Sequence, residues 1–354
     1  MKYIYLLLTL CFLTFANSSL FAESTYDTGK TVPSGYNKNA RPTTPEQFGF
    51  YLGGSFTYWQ PYERGMDLGI VRYPDPTPVF PNEYDLLDVK SEFKPGFKVL
   101  IGCYPTDYDW DVSFGYTWYR MNKSLFFNNA DKIIDKLAWE PSESLGQDAL
   151  AGSKGKWKLR MDMFDFLVGR IYSIGEKLTF KTHIGLKGGI IDQRFNAIYI
   201  MDNVAHAPPY ITVTSYNKSD SWIVGPKIGL DTYWHLTEDF HIFLNAALNV
   251  CYQKYDLKHL YRQDDTYAYD FDYIKKDYKF VNPSIEAIIG LRYASHFGCN
   301  DWFHFDLGAG YEIQNYWNQN ELRAYVSRLV DDGSYASPSD LVLHGLTINC
   351  SLGF

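Results

Sequence analysis

Eight charged side chains set the chemistry open to this sequence. Lys98, Arg160, Lys187, Lys227, Asp231, Glu286, Arg292 and Asp306 each fall on the small, polar side of a segment whose other side is apolar. Cations and carboxylates in similar numbers on facing walls can line a charged solute path, or can pair with one another and fill the space between the walls. In a conducting path the lysines and arginines would favour anions, weakly, because the carboxylates share the wall. A second chemistry, hydrolysis by carboxylate and imidazole, would draw on His183, Asp231, His235, His304 and Asp306. His235, His241 and His304 lie beside short turns, however, and no HExxH, P-loop, GxSxG or CxxC spacing is present. Gly308-Ala309-Gly310 sits inside a strand pattern rather than before a helix, so it is no nucleotide loop. The expectation is a protein that is not an enzyme, with no catalytic residues, cofactor or metal.

The segments that hold these groups read as β-strands. In Asp340–Phe354, Val342, Leu346, Ile348, Cys350, Leu352 and Phe354 share one face, while Leu343, Gly345, Thr347, Asn349, Ser351 and Gly353 share the other. This is the period of a strand. The same alternation recurs from Phe48 onward, for example with Trp110, Val112, Phe114, Tyr116 and Trp118 against Asp111, Ser113, Gly115 and Thr117. At Met163 and Phe164 the phase slips, which suggests a β-bulge. Long segments (Pro61–Glu92, Arg120–Ser153, Gln193–Asp220 and Asp256–Lys279) alternate with turns of a few residues, and DKIIDKLAWE within the second suggests a short helix. Strands with one apolar face, joined alternately by long and short connections, are what a transmembrane barrel requires. The fold expected is all-β: an antiparallel up-and-down barrel of about ten strands, or twelve if a long segment hides a hairpin. Its long loops would be extracellular and its short turns periplasmic.

Composition and the termini agree with export to a membrane. The chain has 30 Tyr, 24 Phe and 9 Trp, amphipathic rings suited to the two headgroup levels. Residues 1–22 read as a signal peptide cleaved after Ala22, 23–47 as a periplasmic arm, and 48–354 as the barrel. No later run is apolar enough for a spanning helix. The formal net charge is -8, and loss of Lys2 makes the mature chain more acidic, which argues against nucleic acid. Cys103, Cys251, Cys299 and Cys350 allow three pairings and match no zinc motif.

The run Trp157–Arg170, GLKGGIIDQRFN (Gly185–Asn196), GLDTYWHLTEDFHIF (Gly229–Phe243) and the terminal HGLTINCSLGF resemble the major-outer-membrane-protein-like family of chlamydia-related bacteria and Legionella. That resemblance implies an outer-membrane β-barrel, often abundant, acting as a porin or surface protein. The expected function is diffusion of small solutes or ions through a major surface protein. The alternative is a non-conducting surface, adhesion or structural envelope protein acting through its extracellular loops. The few cysteines depart from the cysteine-rich chlamydial members and do not support extensive disulfide cross-linking. Expected partners are outer-membrane lipid, the barrel assembly machinery and small solutes or ions, with a homo-oligomer and host surface contacts left open. The terminal Phe354 resembles the signal such barrels present for assembly. Its deletion is expected to lower the barrel recovered from outer-membrane fractions while every inward side chain stays in place. An unchanged yield would remove the assembly role.

Overall fold

A computed structural model describes residues 49–72, 84–105, 110–128, 133–139, 150–174, 177–202, 210–264, 269–297, 303–327 and 337–354. The expected signal peptide and arm lie outside the described residues. In chain order the strands are β1 (Gly49–Glu63), β2 (Asp67–Arg72), β3 (Tyr84–Asp88), β4 (Lys94–Tyr104), β5 (Trp110–Asn128), β6 (Ile133–Leu137) and β7 (Leu150–Ile174). There follow β8 (Leu178–Asp202), β9 (Tyr210–His235), β10 (Phe240–Asp264), β11 (Tyr269–Phe297), β12 (Phe303–Asn320), the helix α1 (Leu322–Ser327) and β13 (Ser339–Gly353).

Ten of these close into one antiparallel barrel in the order β1-β13-β12-β11-β10-β9-β8-β7-β5-β4, with β4 pairing back to β1. Closure is needed because an open edge in lipid would strand unpaired backbone groups. The last strand is paired with the first from Tyr51↔Gly353 to Glu63↔Leu341. Phe50 and Phe354 then exchange two backbone hydrogen bonds of 2.9 Å, so the final residue also forms the end of this closure.

The outward apolar residues form a band. On β5 it runs from Trp110 to Trp118, nine residues or about 30 Å of strand, which at a tilt near 40° spans roughly 23 Å, close to a barrel's hydrocarbon height. Trp222 and Trp234 on β9, exposed on the outer face, mark the same two levels. On β1 the band ends at Tyr58.

Above the band the two faces exchange character. On β8 the outward residues change from Ile184, Leu186 and Ile190 to Asp192, Arg194 and Asn196, while the inward ones change from Lys181, His183 and Lys187 to Ile191, Phe195, Ala197 and Tyr199. β7 does the same, with Trp157, Leu159, Met161 and Met163 buried inside and Lys158, Arg160 and Asp162 outside. The expected bulge at Met163 is therefore absent, for β5 and β7 pair without interruption from Trp110↔Arg170 to Asn128↔Gly152. What slips is the hydropathy, not the register. For the same reason the supposed loops Gln193–Asp220 and Asp256–Lys279 are largely strand, with β8 continuing to Asp202 and β10 to Asp264. Outside the bilayer the interior must supply the hydrophobic burial that lipid no longer gives.

The long connections also hold strands, which join an inner sheet in the order β3-β2-β6 rather than the wall, so the barrel has ten strands and not twelve. Within DKIIDKLAWE, Ile133–Leu137 form strand β6 rather than a helix, and pair with β2 from Gly69↔Leu137 to Arg72↔Ile133. An isolated helix of that length is marginal in water, and the free edge of β2 offers Ile133 and Ile134 a better partner. The inner sheet and its flanks put Met66, Leu68, Leu87, Val89 and Trp139 among Trp59, Tyr119, Trp157, Phe195, Tyr199, Tyr255 and Tyr261, and this is the core. Gly155 on β7 admits the contact: a Cβ there would lie 2.3 Å from Val89 Cγ2. Leu322 and Val326 of α1 join the same core.

Three substitutions separate the two layers. Leu244→Arg, in the outward band, should cost about 2–4 kcal/mol. Phe195→Ala, stacked on Trp139 at 4.6 Å, should cost about 3–5 kcal/mol. Arg194→Leu, the neighbour of Phe195 on the outer face, should change stability by less than about 0.5 kcal/mol. Unfolding of the barrel refolded in lipid vesicles measures all three.

Candidate functional site: the barrel interior

Within the membrane-spanning part, alternate residues of each strand point inward and meet in ion pairs. At mid-height Lys187 (β8), Lys227 (β9), Asp165 (β7) and Glu286 (β11) form one network. Lys227 Nζ is 2.9 Å from Asp165 Oδ1 and 2.8 Å from Glu286 Oε2. Lys187 contacts Glu286 and lies 3.7 Å from Asp165, and Asn249 donates to Glu286 Oε1 at 3.3 Å. Lys187–Glu286, Lys227–Glu286 and Lys227–Asp165 join non-adjacent strands and bridge the interior, whereas Lys187–Asp165 and Asn249–Glu286 link neighbouring strands.

Toward the end of the barrel away from the inner sheet, Lys181 lies 2.7 Å from Asp111 and 3.3 Å from Asp231, and the Tyr51 hydroxyl donates to Asp111 at 2.7 Å. Gly102 leaves room for that tyrosine ring: a Cβ there would sit 2.2 Å from Tyr51 Cζ. Arg292 pairs with Asp306, and Lys98 reaches Glu312 Oε1 at 2.6 Å. Thr347 donates to the other oxygen of Glu312 at 2.7 Å and accepts from Trp59 Nε1 at 3.0 Å. A cavity of about 270 Å³ remains among Lys98, Lys181, Asp231, Arg292, Asp306 and Glu312.

Seven of the eight charged residues expected to line the interior, Lys98, Lys187, Lys227, Asp231, Glu286, Arg292 and Asp306, lie within it. Arg160 does not. It follows the inverted upper phase of β7, lies on the outer face with a side chain 55% exposed, and pairs there with Asp162 at 2.9 Å. Among the described residues the inward ion pairs use five cations (Lys98, Lys181, Lys187, Lys227, Arg292) and six carboxylates (Asp111, Asp165, Asp231, Glu286, Asp306, Glu312). The anion preference suggested by basic walls therefore loses its basis.

The histidines do not assemble into one site. His235 and His241 approach at 2.7 Å and His235 meets Thr179 at 2.9 Å, while His183 Nδ1 is 3.7 Å from Asp231 and His304 packs on His296. No group of three or more His, Cys, Asp or Glu able to hold a metal ion occurs among the described residues. Cys103, Cys251 and Cys350 are free thiols, and Cys299 lies outside the described residues.

Sequence reading missed the upper layer. Across the interior, Gln193 on β8 donates to Glu63 on β1 at 3.2 Å, and the Tyr199 hydroxyl donates to the Leu68 carbonyl at 2.7 Å. Trp139 Nε1 donates to the Asp67 carbonyl at 2.7 Å, tying β6 to β2. The available signal was the apolar alternation of Trp157, Leu159, Met161 and Met163, whose direction was misassigned.

The family described as Legionella pneumophila major outer membrane protein precursor matches residues 42–354. This chain belongs to that family. As a family member it is a bacterial outer-membrane barrel. No curated protein matches it significantly. Among solved structures, the Escherichia coli outer membrane protease OmpT is similar at 10% identity and TM-score 0.40, over 87% of this chain and 98% of that chain. The Pseudomonas putida toluene transporter TodX is similar at 10% identity and TM-score 0.30, over 91% and 92%. A Pseudomonas aeruginosa FadL homologue is similar at 7% identity and TM-score 0.28, over 87% and 90%.

Glu63 lies beyond the band on β1, buried, with Oε2 lacking a hydrogen-bond partner. Burial pushes its carboxyl well above the usual carboxylate range. The folded family member therefore keeps this proton where the unfolded chain, with a pKa of roughly 4.3, has released it. Stability is fullest below that unfolded pKa and falls as pH rises toward the raised one. Glu63→Gln should flatten this decline and make the protein more stable than wild type at pH 8. Denaturant unfolding at pH 5 and pH 8 measures the difference, and parallel losses in both proteins would contradict it.

Proposed function

We propose that this barrel acts as a closed envelope and surface protein, anchored by its strands and presenting its long outer connections to the surroundings. The reading rests on how the interior is filled. The outer half is occupied by an apolar core in which Trp59, Trp139, Trp157, Tyr119, Phe195, Tyr199 and Tyr255 are essentially inaccessible. The inner half is crossed by ion pairs, and separating them would leave charges buried without partners. A ring of ten strands has an interior narrow enough for side chains to fill. Host surface contacts and self-association would fall to the outer connections, and recognition by the assembly machinery to Phe354.

A second reading, passage of small solutes or ions when the inner sheet moves aside, is favoured by the charged cavity of about 270 Å³ beneath the plug. The refolded protein in a planar bilayer distinguishes the two. The intact chain is expected to give no steady conductance, whereas a variant with residues 67–89 replaced by a short Gly-Ser linker opens the outer layer and conducts intermittently. Steady channel steps from the intact chain would overturn the closed reading and support the porin.

A further inference from the structure

On the outer wall, where the apolar band meets the extracellular layer, β1, β4, β5, β7 and β8 frame a groove of about 880 Å³. Its floor is apolar: Phe56, Phe97 and Trp118 lie side by side in register, with the Phe97 and Trp118 rings stacked at 5.3 Å. Its upper rim is basic, made by Lys94, Arg120, Lys158, Arg160 and Arg194, with Asp192 the one acidic lining residue. Counting Asp162 beneath the two arginines and Glu92 beside Lys94, the cations still outnumber the carboxylates five to three. The chain as a whole carries a net charge of -8, so this sector runs against the molecule.

Three of the five cations have carboxylate partners, Lys94 with Glu92 and both Arg120 and Arg160 with Asp162, and two do not. Arg120 donates to the Tyr119 and Met161 carbonyls at 2.8 and 2.7 Å and to both oxygens of Asp162, and its guanidinium lies 5.0 Å from the Trp118 ring. Arg160 meets Asp162 through Nε, and the same nitrogen lies 4.0 Å from Asp192. Lys158 and Arg194 have no carboxylate partner among the described residues, and they are neighbours in register. The opposite wall differs: at comparable height Lys254 pairs with Asp277, Lys258 with Asp272 and Arg262 with Asp270. That wall also carries the exposed Lys275, Lys276 and Lys279 of β11, so what sets the groove apart is not its charge excess but the unpaired neighbours Lys158 and Arg194 above an aromatic floor.

We propose that this groove binds the phosphorylated, multiply acylated glycolipid of the outer leaflet. Its acyl chains lie along Phe56, Phe97 and Trp118, and its phosphates meet Arg120, Lys158, Arg160 and Arg194. Guanidinium groups suit phosphate because they offer paired donors in a plane. The span of the rim argues for more than one phosphate. From Arg120 on β5 to Arg194 on β8 is two strand spacings, about 10 Å, farther than a single phosphate reaches. The apolar floor has no role in holding a free anion, so the combination selects an amphiphile.

The full chain, folded in neutral detergent, can be titrated with bis-phosphorylated lipid A, its monophosphorylated form, phosphatidylglycerol and inorganic phosphate, with binding followed by native mass spectrometry. Bis-phosphorylated lipid A is expected to bind most tightly, and neither phosphatidylglycerol nor inorganic phosphate should displace it. Lys158→Gln combined with Arg194→Gln should weaken it about tenfold, while Lys254→Gln combined with Lys258→Gln should leave it unchanged. Undiminished binding by the first pair would overturn the site. So would equal competition by phosphatidylglycerol, which would make the groove a general anionic-lipid surface, or by inorganic phosphate, which would make it an anion site. The competition arms use the unaltered protein, so they decide the matter even where a variant folds poorly.

Discussion

Every feature of this protein depends on backbone hydrogen bonding that must be complete inside lipid. A strand in hydrocarbon has no water to pair with, so ten strands can cross only by closing on one another, and the β1–β13 pairing from Tyr51 to Glu63 completes the ring. Once closed, the ring imposes the alternation: side chains of one parity meet lipid and those of the other meet each other. The lysines and carboxylates of the inner half follow from this. They face a narrow interior in which a charge is tolerable only with a partner, and Lys187, Lys227, Asp165 and Glu286 supply partners across the gap.

The same ring continues beyond the bilayer under the opposite rule. Where water replaces lipid, the outside of β8 becomes Asp192, Arg194 and Asn196, and the inside must provide the burial that holds the strands together. The inner sheet β3-β2-β6 completes it, bringing Met66, Leu68, Leu87, Val89 and Trp139 into the core. The lipid-spanning part is thus held by charge pairing within, and the outer part by apolar packing.

These two rules explain what could be read from the sequence. Within the band, Trp110 to Trp118 or Phe240 to Val250 alternate as a lipid-facing strand must, so the barrel, its ten strands and its inward face were legible. Beyond it, the Trp157 to Met163 alternation is equally regular but points the other way. A single rule, apolar outward, then forces a false bulge at Met163 and puts Arg160 inside. The strand extensions past Gln193 and Asp256 were lost for the same reason. β6 was mistaken for a helix because its partner, β2, is more than sixty residues away and no local pattern reveals it. The ionic residues were legible as a face but not as pairs, since which lysine meets which carboxylate depends on strand stagger around the ring.

The reversal of polarity along single strands also fixes how deep the molecule floats. A barrel with a uniform apolar exterior can slide along the bilayer normal, or lean, at little cost. Here Asp162, Asp192 and Arg194 stand immediately above the band, while Arg170 lies at its lower edge beside Trp110. Sinking by two residues, roughly 5 Å of height, would carry several of these charges toward hydrocarbon. The cost for an arginine rises with depth, from about 0–1 kcal/mol near the interface toward about 2–4 kcal/mol at the midplane, and is smaller for a carboxylate. The waterline is therefore written into the wall at β7 and β8, and it sets the draught at which the outer layer stands.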